Sequence, residues 1–130
     1  MRVLLDTHCW LWLQVSPDRL TEEVRGLLAE PEHDLYLSAA SAWEIAVKWT
    51  LGKLPLPAPP AEYVPSRLER QGVVALPVEL RHTLGVSALP LHHRDPFDRL
   101  LIAQAQLEGL HLLTSDQALA PYEGTRFLWT

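Results

Sequence analysis

Met1-Arg2-Val3-Leu4-Leu5-Asp6-Thr7 opens the chain and decides how the rest is read. Val3, Leu4 and Leu5 form a short apolar run without alternation, bounded by polar residues, as expected of a strand in a sheet covered on both faces. Asp6 then stands at the C-terminal end of that strand, the edge where open α/β sheets bind ligands. Thr7-His8-Cys9-Trp10-Leu11-Trp12-Leu13 follows as a buried helix with Asp6 placed as its N-cap, and Ser16-Pro17-Asp18 breaks it. The rest of the chain poses one question, namely which other carboxylates reach the same edge.

The pattern recurs downstream. Leu20, Val24, Leu27 and Leu28 keep helical spacing behind Thr21-Glu22-Glu23, whose hydroxyl and acids suit a helix N-terminus, and that helix stops near Pro31. Asp34-Leu35-Tyr36-Leu37 reads as a second strand, followed by a helix from Ser38 to Trp49 closed by Gly52. This second strand-to-helix turn delivers Glu44, where Ser41-x-x-Glu44 matches a capping box and Lys48 stands one turn beyond. Lys53 to Pro60 is a Pro-rich surface loop, not a domain linker. Ala61 to Gln71 reads as a helix, Gly72 to Leu76 as a third strand, and Pro77 to His82 as a helix beginning at Pro. His92-His93-Arg94-Asp95-Pro96-Phe97-Asp98 leads into a helix from Arg99 to Glu108, apolar on nearly all sides and so central, with Gly109 ending it. Leu110 to Leu113 is a strand closing on Thr114-Ser115-Asp116, an echo of Leu5-Asp6-Thr7. A short helix from Gln117 and a last strand over Arg126–Trp129 complete the chain. Strands alternating with helices predict a mostly parallel central sheet in three α/β/α layers.

Length and composition narrow the class. At 130 residues, residues 1–130 are expected to form one domain around one core. A hydrophobic content of 48% with five Trp argues against disorder, and no apolar run approaches the roughly 18 residues of a membrane span. The N-terminus lacks the features of a secretory signal, and the lone Cys9 has no partner for an internal disulfide, so a cytoplasmic, membrane-free location is expected. A formal charge of −5 gives no general basic face, so a nucleic-acid substrate requires a local basic rim or a metal. Trp10 and Trp12 serve either the core or an interface, which favours aromatics.

Each acid has a bland reading as a helix cap or an ion-pair partner. Together they read differently: four of the six Asp (Asp6, Asp95, Asp98 and Asp116) fall at the mouths of the most apolar elements, and Glu44 lies inside one. Carboxylates gathered at one edge repel and raise one another's pKa, a cost that a divalent cation removes. An acidic set without thiolates suits Mg²⁺ or Mn²⁺ better than Zn²⁺.

Leu4-Leu5-Asp6-Thr7, Leu37-Ser38-Ala39-Ala40-Ser41-Ala42-Trp43-Glu44-Ile45, the stretch from Asp95 through Asp98 to Ala105, and Leu113-Thr114-Ser115-Asp116 together resemble the PIN-domain ribonucleases, in particular the VapC toxins of prokaryotic toxin–antitoxin pairs. The first and last motifs are weak alone; the four in order are specific. The resemblance implies a three-layer α/β/α fold, a Mg²⁺- or Mn²⁺-dependent endoribonuclease acting on RNA, a homodimer, and a cognate antitoxin that blocks the site. Carried over by motif, the acids are Asp6, Glu44, Asp98 and Asp116, with Thr114 or Ser115 at the accompanying hydroxyl position. Asp6, Glu44 and Asp98 are expected to bind the ion directly, with Asp116 on a second ion or a bound water.

Between the two acids of Asp95-Pro96-Phe97-Asp98, Pro96 makes Asp95 the natural N-cap and leaves Asp98 as the metal ligand. Lys48, Arg94 and Arg99 are candidates for the substrate rim. His92 and His93 flank the site, but neighbours in sequence point apart, and a catalytic His is the weaker reading. A phosphoacceptor receiver domain should carry adjacent acids after the first strand and a Lys after the last, and a haloacid-dehalogenase-type phosphatase needs an Asp where His8 stands. A degenerate PIN module that only binds a partner should have lost one of the acids, and all are present.

Overall fold

The computed structural model describes residues Met1–Thr130. Five strands, β1 (Arg2–Leu5), β2 (Asp34–Ser38), β3 (Val73–Leu76), β4 (His111–Thr114) and β5 (Arg126–Trp129), form one sheet in the order β3-β2-β1-β4-β5. All pairings are parallel. Six helices connect them: α1 (Thr7–Val15), α2 (Glu22–Ala29), α3 (Ala39–Thr50), α4 (Pro60–Gln71), α5 (Leu80–Gly85) and α6 (Pro96–Glu108). None is long and apolar enough to cross a membrane.

Side-chain alternation along the strands builds two cores. Val3, Leu5, Leu35, Leu37 and Leu113 point to one face, where they meet Cys9 and Trp10 of α1, Val24 of α2, Ile45 of α3 and Val64 of α4. Leu4 and Leu112 point to the other, against Leu101, Ile102 and Ala105 of α6. Apolar runs without alternation are what a doubly covered parallel sheet demands, and Val3, Leu4 and Leu5 are all fully buried. The three-layer α/β/α architecture follows from this.

Strand order matters more to function than the layers do. The chain steps outward from β1 to β2 and β3, then crosses through α6 to enter β4 on the opposite side of β1. The crevice at such a reversal, beyond the C-terminal ends of the flanking strands, is where open parallel sheets bind ligands.

Three local expectations are corrected. The helix expected from Pro77 starts at Leu80, because Glu79 is the N-cap, extended in backbone, with its N–H taken by His82 Nδ1 at 2.9 Å. Ser41 is no cap: Ser38 ends β2 and caps α3 itself, its hydroxyl accepting from Ala40 N at 3.0 Å, so strand passes to helix with no loop. The short helix from Gln117 is a single 3-10 turn, Gln117–Leu119.

Candidate active site

Asp6 lies just past β1, its own N–H bonded to the Leu113 carbonyl of β4 at 3.0 Å, so the sheet ladder sets it beside the strand that ends in Thr114. Its carboxylate caps α1, accepting from Cys9 N at 2.7 Å, and it is 5% exposed. Burial, and then the charge of Asp6, push the Cys9 thiol far up, which keeps it protonated and withholds a thiolate ligand.

Glu44 is equally buried, one helical turn beyond Ser41 on α3. The Thr7 hydroxyl donates to Ser41 Oγ at 2.9 Å, which ties the start of α1 to the first turn of α3, the helix that carries Glu44. Lys48 Nζ donates to Glu44 Oε2 at 2.7 Å. The structure thus gives Lys48 a partner inside the acidic set.

Of the two acids before α6, Asp95 takes the capping role its sequence context predicts. Asp95 is the N-cap of α6, accepting from Phe97 N at 2.9 Å and Asp98 N at 3.3 Å, with Pro96 in the first turn. Asp98, free of that duty, has its pKa raised to about 6, chiefly by burial, then by the charge of Asp95; His93 opposes the shift and Asp6 adds to it. Asp116 caps the 3-10 turn through Ala118 N at 3.0 Å, and its own N–H donates to the fully buried Thr114 Oγ1 at 3.1 Å. Ser115 is half-buried and Arg94 exposed. Arg99 turns away from the acids, its Nη2 donating to the Val86 and Leu89 carbonyls at 3.2 Å each.

His93 is the residue the motifs did not single out. Its Nε2 lies 2.9 Å from Asp98 Oδ2 and 3.9 Å from Asp116 Oδ2, so one imidazole spans an acid of α6 and the acid after β4. The adjacent His92 points away and packs edge-on against Tyr122, ring centres 5.1 Å apart. No periodicity marks His93, because it sits in a loop whose path is set by packing on Tyr122. Its only signal in the sequence is its place five residues before Asp98.

The donors suit a hard divalent cation. They are carboxylates with one imidazole and no thiolate, and the buried, repelled Asp98 is the kind of group a cation relieves. An ion held by such donors would act as a Lewis acid and activate a bound water.

Comparison with known proteins shows the family. The PIN domain family model matches residues 3–124. The chain is a PIN domain. Ribonuclease VapC16 of Mycobacterium tuberculosis (strain ATCC 25618 / H37Rv) is 49% identical over 61 residues, which span 47% of this chain and 43% of that relative. Less than half of the relative's length is therefore matched. Among solved structures, the PIN domain here superimposes on VapBC2 from Rickettsia felis bound to a promoter DNA fragment, with a TM-score of 0.75 at 14% identity and 98% of each chain covered. VapBC from Salmonella typhimurium bound to DNA gives a TM-score of 0.68 at 16% identity, over 98% of this chain and 97% of that one. VapBC-1 from nontypeable Haemophilus influenzae gives 0.62 at 17% identity, over 99% and 98%. At these identities the likeness is one of fold.

Proposed function

We propose that this PIN domain is an endoribonuclease of the VapC toxin type, hydrolysing RNA phosphodiester bonds with Mg²⁺ or Mn²⁺ held by Asp6, Glu44, Asp98 and Asp116. The observation that carries the reading is the approach of Asp98 and Asp116 to one imidazole at the β1/β4 crevice, 2.9 and 3.9 Å from His93 Nε2, with Asp6 close enough to help raise the Asp98 pKa. A bound divalent ion supplies charge stabilisation at phosphorus and an activated water. The protein's part is placement. Asp6 and Asp98 are fixed at helix N-termini, Asp116 at the end of β4, and Glu44 on α3 with Lys48 as its counter-charge. The relative's name, ribonuclease, supports RNA as the substrate. Arg94 is the free cation nearest the acids in sequence and belongs to the substrate rim of this reading.

The neighbours' VapBC assemblies support an antitoxin as partner, and a homodimer and a cytoplasmic site of action belong to the same reading. The exposed stripe of Trp43 and Val47 on α3 with Leu51 just past its end, rather than buried Trp10, offers apolar surface to a protein. An acidic crevice offers a bidentate partner to a guanidinium, so an antitoxin segment is expected to place an Arg against these acids and exclude the ion. The test is RNA cleavage by purified protein free of antitoxin. Activity that requires Mg²⁺ or Mn²⁺, stops with EDTA and vanishes in Asp98→Asn supports the proposal. Cleavage that survives complete chelation rejects the metal, and no cleavage of any RNA by a folded, metal-bound protein favours a module that only binds its partner.

A further inference from the structure

His93 belongs to none of the four acidic motifs, yet its Nε2 forms with carboxylate oxygens of Asp98 and Asp116 a set of three donor atoms all within 4.8 Å of one another. The position is built from outside the site. His93 N–H donates to the Tyr122 hydroxyl at 2.9 Å, Tyr122 is 1% exposed, and the His92 ring packs on the same Tyr122. That clamp turns His92 outward and aims His93 into the crevice.

We propose that His93 Nε2 is a ligand of the ion that Asp98 and Asp116 hold, which makes the centre a mixed nitrogen–oxygen site and sets its preference for Mn²⁺ over Mg²⁺. The inference rests on the metal-dependent reading above. Neighbouring ligands of an octahedral ion at 2.0–2.1 Å stand about 2.9 Å apart. The separation of His93 Nε2 and Asp98 Oδ2, 2.9 Å, is already that of a shared coordination edge. A hydrogen bond has the same length, so chemistry must separate the two roles. Mg²⁺ selects oxygen and keeps its waters, whereas an imidazole nitrogen improves the site for first-row transition ions.

The experiment uses the full chain with Mn²⁺ or Mg²⁺ alone, without RNA. Pulsed electron paramagnetic resonance of bound Mn²⁺ should show nitrogen modulation from a directly bound imidazole, and His93→Ala should abolish it. By calorimetric titration, His93→Ala should weaken Mn²⁺ binding about tenfold or more and Mg²⁺ by less than about threefold, because the lost ligand is one Mg²⁺ uses poorly. His93→Gln keeps a hydrogen-bond donor for Asp98 without the imidazole, so it should restore stability lost in the Ala variant but not the nitrogen signal. Wild-type protein that binds Mn²⁺ without nitrogen modulation overturns the inference while the function proposed above stands. So does a parallel loss of both ions in His93→Ala, which would make His93 a positioning partner of Asp98. Wild-type protein that binds neither ion overturns both readings.

Discussion

Asp98 shows how one residue's surroundings set its chemistry. An ordinary Asp titrates near 3.8, whereas burial, helped by Asp95, raises the pKa of Asp98 to about 6. The folded, ion-free chain therefore holds this proton more tightly than the unfolded chain does. The stability Asp98 contributes is fully present below about pH 4 and is lost as pH rises through 6. Asp98→Asn removes that titration. In EDTA it should gain on the order of 3 kcal/mol over wild type at alkaline pH and almost nothing near pH 4, since each pKa unit is worth about 1.4 kcal/mol. Denaturant unfolding across the range checks this, and a gain independent of pH would assign the effect to packing instead. Because a ligating carboxylate must be deprotonated, Mn²⁺ binding should also weaken as pH falls below about 6.

The helices reuse their own N-termini as the frame of the site. Asp6 caps α1 and Asp95 caps α6, which leaves Asp98 in the first turn of α6 with no backbone N–H to satisfy. Asn caps a helix as well as Asp does, so Asp6→Asn should keep the bond to Cys9 N and unfold near the wild-type temperature, whereas Asp6→Ala should lose about 1 kcal/mol. Both should lose ion binding. Equal destabilisation in the two would show that the negative charge at the start of α1, not the cap bond, holds the helix. On α6, Asp95→Ser should bind the ion and lose at most about 1 kcal/mol, while Asp98→Ser should stay folded and bind none. The reverse result, read by calorimetry on both variants, would move the ligand to Asp95.

At the scale of the whole molecule, the site joins elements that the chain separates widely. Asp6 follows the first strand, Asp116 follows the fourth, and the strands meet only because β4 enters the sheet on the side of β1 away from β2. An ion held by these elements binds the folded chain and not the unfolded one, so it should stabilise the entire domain. At a hundredfold excess over its dissociation constant the gain is about 2.7 kcal/mol, roughly 10 °C in Tm for a chain of this size. Calorimetric scans in EDTA and in Mn²⁺ measure it. A shift that persists undiminished in Asp98→Ser would place the stabilising ion elsewhere.

The sequence by itself determined the elements and the acids at their ends. Unalternating runs such as Val3-Leu4-Leu5 can be buried only between two layers of helices, and the polar residues that close them must stand at the strand mouths. Pro96 separates the roles of Asp95 and Asp98 by backbone sterics alone, which is why the cap at Asp95 was legible before any fold was known. The tertiary structure decided the rest, because strand order and loop paths depend on contacts between distant residues. Sequence could not show that Thr7 reaches Ser41 and ties α1 to α3, or that His82 accepts from Glu79 N at the start of α5. Nor could it show that Tyr122 clamps the loop before α6 so that His93, and not His92, faces the acids. Periodicity is a local property of the chain and reports which face of an element is buried. Which side chains meet at the crevice is settled by packing between elements far apart in sequence.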